Sequence, residues 1–236
     1  CICLWQDIQL IKGLNSHKIE SLNYKCRKMN ASIMDTRTKY EKNVQDRSFV
    51  RFLLGGIVRW RQYIKQAYIR KVARKNGVVV GDDVIMPLSL AKKANANLVI
   101  GNHVCISTDN FSSFRYPVRI GDNVIIGNGV KFVMGSHDID SPDWEHCRPN
   151  KGLVIEDYVW LCPDSVILPS VKKIAYGSVV GANAVLVKDT TEMAVYGGNP
   201  AKELRLRKCV HSDLVVESLR GGDFKAYLRT WKNKKK

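Results

Sequence analysis

The chain has 236 residues, 45% of them hydrophobic, and a formal net charge of +16. Length and composition exclude a disordered or fibrous protein and allow one domain with appendages around a substantial core. No apolar run approaches the roughly 18 residues that a bilayer span needs, the longest being the ten residues 49–58 interrupted by Arg51, so a membrane-spanning helix is excluded as well.

Residues 1–47 are polar, rich in Asn, Ser, Lys and Thr and without period, so a poorly ordered basic segment is expected there. Residues 1–75 hold 17 Lys and Arg against 5 Asp and Glu, residues 76–201 hold 10 against 13, and residues 202–236 hold 11 against 4. Basic arms around a near-neutral body point to an anionic neighbour, or simply to solvated helix faces. The acidic balance of the middle argues against a large phosphate-binding surface, and no nucleic-acid partner is expected. The seven cysteines are widely spaced, with no CxxC pair. They are poor material for a disulfide framework or a zinc site and fit a reducing compartment, hence a cytoplasmic protein.

Over 48–77, Phe49, Phe52, Leu53, Val58, Trp60, Tyr63, Ile64, Tyr68 and Val72 recur near helical spacing among Arg51, Arg59, Arg61, Lys65, Arg70, Lys71, Arg74 and Lys75. This predicts an amphipathic basic helix, or two joined at Gly55 and Gly56, stopped by Asn76 and Gly77. Such a helix can cap the open end of the next element. It can also lie on the inner face of a membrane through Trp60, Tyr63 and its basic face, so peripheral association through residues 49–75 is a second expectation.

From Val78 to Pro200 the period becomes six. Ile155, Leu161, Ile167, Ile174, Val180 and Leu186 open successive units, and Val159, Ser165, Val171, Ser178 and Ala184 stand four places later, with Gly, Asp or Asn between. Six is neither a helical nor a strand period; very short strands joined by corners, three units to a coil, give a solenoid whose aliphatic residues stack. Lys172–Lys173 adds one residue, which a corner can absorb. Val80–Val84, Ile100–Val104 and Ile120–Val124 are earlier copies of the phrase. The pattern breaks at 135–152, a loop thrown out of the solenoid, where binding and catalytic groups concentrate. Residues 201–236 read as a basic helical tail.

Several features together resemble the hexapeptide-repeat acyltransferases, in their sugar and exopolysaccharide O-acetyltransferase branch, over Val78 to Arg207. They are the Ile-Gly-Asp-Asn-Val repeats, Gly135-Ser136-His137-Asp138 opening the loop, Val159-Trp160, Ile167-Leu168-Pro169, Val187-Lys188-Asp189 and Gly198-Asn199-Pro200-Ala201-Lys202. The resemblance implies an all-β solenoid, a left-handed parallel β-helix flanked by the N-terminal helical segment and the C-terminal tail. It implies a homotrimer with acetyl-CoA in the groove between neighbours, acetyl transfer to a sugar hydroxyl in surface polysaccharide or a lipid-linked precursor, and no metal requirement. His137 matches the catalytic base, which chemistry needs because a hydroxyl is a weak nucleophile until its proton is removed. Trp160 matches an aromatic at the acceptor site. Ala182 and Lys188 match positions lining the CoA groove, and Pro200, Ala201 and Lys202 the segment over the cofactor's end.

The sequence departs from the family pattern at three places. Where an acceptor-binding asparagine is expected it reads Ser107 to Phe111, with Asp109 or Asn110 to fill the role. Residue 163 is Pro where a small residue is usual, and a long basic segment replaces the small N-terminal cap. N-acetylation of an aminosugar would use the same base. A zinc hydratase on the same solenoid would need three histidines, and His103, His137 and His146 lack a ligand spacing. A non-catalytic binding scaffold is the remote alternative.

Overall fold

The computed structural model describes residues 38–147, 152–211 and 213–234, without the side chains of His146 and Cys147. The expectation for residues 1–47 therefore lies mostly outside the described residues, but Lys39–Gln45 is a helix, α1. Thr38 opens it with a capping box: its hydroxyl accepts from Glu41 N and Glu41 returns a bond to Thr38 N. Arg37–Arg207 and Leu214–Lys236 form one compact unit; Lys208–Asp213 belong to another. Cys209, in that second unit, is disulfide-bonded, against the reading of the cysteines as poor bridge material.

Three parallel ladders carry the period of six. The first is β1 (Val79–Val80), β2 (Leu98–Ile100), β4 (Val118–Ile120), β9 (Leu153–Ile155) and β12 (Lys173–Ile174). The second is β3 (Cys105–Ile106), β5 (Ile125–Ile126), β10 (Trp160–Leu161), β13 (Val179–Val180) and β15 (Ala194–Gly197), closed by antiparallel β16 (Lys202–Leu206). The third is β6 (Lys131–Phe132), β11 (Val166–Ile167) and β14 (Val185–Leu186). From β9 to β14 the chain visits the three in strict rotation, the course of a parallel β-helix. Ile155, Leu161, Ile167, Ile174, Val180 and Leu186 are all buried in one core, as are Val159, Ser165, Val171, Ser178 and Ala184. Each aliphatic side chain so stacked contributes about 1.5–3 kcal/mol by burial.

The repeated phrase has a physical cause at the corner between the first and second faces. Asp82 N donates to Asn102 Oδ1 (2.9 Å), Asn102 N to Asp122 Oδ1 (2.6 Å) and Asp122 N to Asp157 Oδ1 (2.7 Å), so each side chain holds the preceding coil. A Cβ on Gly121 would collide with the Asp157 carboxylate, which is why glycine precedes the Asp. Asp83, His103, Asn123 and Tyr158 then turn the corner at φ 53–59°.

The segment Phe49–Lys75 is a single 27-residue helix, α2, the first of the two alternatives, and runs through Gly55–Gly56 without a break. A Cβ on Gly55 would stand 2.7 Å from the Tyr227 hydroxyl, and the glycine gives that ring room against the helix. Capping of the solenoid is explicit: Arg74 donates to Val80 O and Arg70 to Val84 O, both at 2.9 Å, and Gln66 Oε1 accepts from Met86 N. A short helix, α3 (Leu88–Lys93), interrupts the first coil. The tail expected to be helical from residue 201 starts as β16 instead, because its residues pair back on β15; a 3-10 turn at Val216–Arg220 and helix α4 (Phe224–Asn233) follow. Tyr227 and Val44 pack on Phe52, and Asp223, fully buried, joins Arg59 (3.0 Å) to Tyr40 (2.6 Å). Among the described residues no helix is long and apolar enough to cross a membrane.

Candidate active site

The third face organises the candidates. Its inward residues Phe132, Ile167 and Leu186 leave Lys131, Val166 and Val185 facing out. The irregular coil before it joins the same face: Phe111 bridges Phe132, their rings stacked at 4.2 Å, and Phe132 N donates to Asn110 O. This brings exposed Asn110 and half-buried Asp109 one coil before Lys131. Thr108 fixes the turn, its hydroxyl donating to Val130 O and accepting from Asn110 N.

Directly after Lys131–Phe132 the loop departs. Within it β7 (Ser136–His137) and β8 (His146–Cys147) form an antiparallel hairpin with His137 opposite His146. Asp138 N donates to Glu145 O and Asp140 N to the Asp138 side chain, and Trp144 takes φ 50° to close the turn. The exposed imidazole of His137 places Nδ1 2.6 Å from Trp144 O. A carbonyl only accepts, so Nδ1 carries the proton in the neutral ring and Nε2 is the basic nitrogen.

Lys188, exposed, stands on the edge of the third face from which the loop leaves, two coils further on by the register of β6, β11 and β14. Beside it the extra residue of Lys172–Lys173 is absorbed as expected, by Asp189 Oδ1, which accepts from both backbone N–H groups at 2.6 and 3.0 Å. Ala182, exposed, occupies the corner entering β14, one coil after Pro163, whose carbonyl accepts from Asn183 N. The turn between β15 and β16 lies along β14: Val185 N donates to Gly198 O and Ala201 N to Val185 O. Pro200 and Lys202 are exposed there, whereas the Ala201 side chain is buried in the core and can offer a ligand only backbone.

Asp109 and Asn110 lie on the third face and Lys188 at its edge, Ala182 stands at the corner entering it and the Pro200 turn lies along β14, whereas His137 is on the hairpin that leaves this face and Lys202 begins β16 of the second ladder. Trp160, 44% exposed, stands on the second face between Ile125 and Val179 and not on the third. Sequence reasoning missed Lys131, an outward cation that the six-residue phase could have revealed, and Trp144, whose contribution is a backbone carbonyl. Lys131, Lys188 and Lys202 suit phosphate groups. Among the described residues the free cysteines Cys105 and Cys162 are poor nucleophiles: burial pushes their thiols above the usual value and keeps them protonated. The imidazole of His137, held through Nδ1, is chemically suited to proton transfer.

No family model matches the chain. It is 27% identical over 127 residues to a chloramphenicol acetyltransferase of Klebsiella aerogenes, covering 43% of this chain and 60% of that protein. To a probable macrolide acetyltransferase of Lysinibacillus sphaericus it is 34% identical over 125 residues, 42% of this chain and 67% of that one. To a galactoside O-acetyltransferase of Lactococcus lactis it is 27% identical over 135 residues, 54% and 58%. The chain spans about three fifths of the length of the first curated relatives it matches. Among solved structures, a hexapeptide-repeat acetyltransferase of Vibrio cholerae complexed with acetyl coenzyme A shares 23% identity, with 81% of this chain and 90% of that one covered and a TM-score of 0.44.

Proposed function

The chain belongs to the hexapeptide-repeat acyltransferases, and from that premise we propose that it is an acetyl-CoA-dependent O-acetyltransferase acting on a sugar hydroxyl of a surface polysaccharide or its lipid-linked precursor. The observation that carries the reading is the His137 imidazole, its Nδ1 held by Trp144 O on a hairpin that leaves the face carrying Asn110, Lys131 and Lys188. His137 Nε2 takes the acceptor's proton as its oxygen attacks the thioester carbonyl. The tetrahedral intermediate then collapses, the C–S bond breaks, and the proton on Nε2 passes to the departing CoA sulfur. General-base assistance of this kind is worth about 10²–10⁴-fold.

Asn110 and Asp109 hold the acceptor sugar beside the imidazole, Ala182 leaves room for the pantetheine arm, and Lys188, Lys202 and Pro200 with the Ala201 backbone receive the cofactor's far end. The coil is left-handed and the protein a homotrimer. What supports a trimer is the division of candidates between faces: Trp160 stands on the second face and Asn110 and Lys188 on the third, so a neighbour's second face packed on this third face would bring them together. The exposed apolar residues of α2, among them Leu54, Ile57, Trp60 and Ile64 between Arg61 and Lys65, support peripheral attachment to the inner membrane face, where lipid-linked glycans are built.

The test is CoA release from acetyl-CoA by the full chain, read with a thiol reagent across a glycan panel, for the wild type and His137→Ala. Acceptor-dependent release that falls 10²–10⁴-fold in the variant is expected. Equal release by both proteins with every acceptor refutes the assignment; an acetylated amine as product would move it to N-acetylation.

A further inference from the structure

Away from the candidate active site, three chemically strong ligands meet at one corner of the first two coils. Asp83 and His103 are the corner residues of successive coils, with φ 53° and 55°, and His103 N donates to Asp82 O, so their side chains leave the solenoid one above the other. Across from them lies Glu217, in the 3-10 turn Val216–Arg220. That turn is pressed against the coil by Val216, buried with Ile85 and Cys105, and by Gly222, where a Cβ would collide with the Ile85 side chain.

The packing fixes Glu217 in an awkward place. Its side chain is only 6% exposed, and one oxygen lies 3.0 Å from His103 Nδ1. The other, Oε2, is buried without a hydrogen-bond partner among the described residues. A buried carboxylate oxygen left in that state is costly unless a cation completes it. One donor atom from each of Asp83, His103 and Glu217 lies within 4.8 Å of the others. A zinc ion with bonds of about 2.0–2.2 Å holds its donors roughly 3.3–3.5 Å apart, so small side-chain rotations bring the three into a first shell with water as fourth ligand.

We propose that Asp83, His103 and Glu217 form a structural site for a divalent transition-metal ion, zinc by the mixed imidazole and carboxylate donor set, which clips the C-terminal tail to the first two coils. Two carboxylates balance the dication. The cation in contact with Asp83 is Lys225, whose ammonium stands 2.9 Å from Oδ1 on a side chain 54% exposed, free to swing into water when the metal enters; the Arg70 guanidinium, also drawn by Asp83, donates to Val84 O.

The experiment uses the full chain, stripped with a chelator and dialysed against zinc chloride, with bound metal measured by elemental analysis and unfolding by calorimetry. One zinc per chain is expected at this site, raising Tm by about 5–10 °C at a hundredfold excess over Kd. Glu217→Gln should weaken zinc binding at least about tenfold and abolish most of that shift. Lys225→Met, which removes the competing ammonium and leaves all three ligands, should tighten binding; it decides the matter if Glu217→Gln does not fold. Absence of stoichiometric zinc, or uptake and Tm shifts identical in wild type and Lys225→Met, overturns the proposal. Zinc held elsewhere in the chain gives that second pattern.

Discussion

Nδ1 of His137 lies 2.6 Å from the carbonyl oxygen of Trp144, seven residues along the same hairpin. The bond fixes the ring by a backbone atom, so the identity of the Trp144 side chain matters only through its left-handed φ of 50°. A β-branched residue resists that conformation. Trp144→Val is expected to lower kcat about tenfold or more with KM for acetyl-CoA nearly unchanged, whereas Trp144→Gly keeps the turn and most of the activity. Equal kinetics for the two variants would show that the carbonyl does not position the base.

Lys188 is exposed at the edge of the third face, and a bond from its ammonium to a phosphate is worth about 1.5–3 kcal/mol. Lys188→Ala is expected to raise KM for acetyl-CoA at least about tenfold while kcat with saturating donor holds. A kcat defect without a KM effect would place this lysine in the chemical step instead.

The solenoid is legible in the sequence because burial repeats wherever a face begins: Ile155, Leu161 and Ile167 declare the three faces of one coil, and Gly81, Gly101 and Gly121 record the Asn or Asp side-chain oxygen stacked upon each. The loop at His137 is legible as a break in that rhythm. The coil at Ser107–Tyr116 is not, since it lacks the phrase and finds its place by stacking Phe111 on Phe132. A backbone acceptor such as Trp144 O has no side-chain signature. Glu217 meets His103 across 114 positions, a pairing made by tail packing that no local pattern announces. The reason for glycine at position 55 likewise lies in Tyr227, a partner far along the chain.

Asp189 serves two N–H groups with one oxygen, at the corner that takes up the extra residue of Lys172–Lys173. Asp189→Ala gives those groups to water and is expected to cost about 1–2 kcal/mol, a Tm loss of roughly 2–8 °C. Asp189→Asn retains an acceptor and should lose less than half as much. Calorimetry of the two variants checks the order; a loss as large in Asp189→Asn would mean that charge at this corner, and not acceptor geometry, matters.

The Asp157 carboxyl is pushed above its usual value, first by burial and further by the carboxylates of Asp122 and Glu156, against the lowering pull of the bond from Asp122 N. A group that holds its proton more tightly folded than unfolded contributes stability fully present below its unfolded value, about 3.9. That contribution is lost as pH rises through the folded value. Asp157→Asn keeps an oxygen for Asp122 N, as Asn102 does for Asp82. The Tm of the variant should therefore exceed that of the wild type near pH 7 and the two should converge below about pH 4. Parallel Tm curves across that range would contradict the raised value.

Helix α2 turns Phe52, Gln66, Ile69 and Ala73 inward, yet Phe49, Val50, Leu54, Ile57 and Trp60 are each more than half exposed. Capping alone does not require that surface to be apolar, and its neighbours Arg51, Arg61 and Lys65 are exposed cations. An apolar strip flanked by basic residues gains from insertion among acyl chains and by about 1 kcal/mol for each Lys or Arg near an anionic surface. Cosedimentation with vesicles of anionic phospholipid is expected at low salt, with weaker binding to neutral vesicles and loss as salt rises. Leu54→Glu combined with Ile57→Glu should reduce binding about tenfold or more and leave CoA release on a soluble acceptor unchanged, because both side chains are exposed on α2 and neither residue belongs to the third face. Failure of the wild type to sediment with anionic vesicles at low salt would assign the strip to a protein partner and remove the membrane from the proposal.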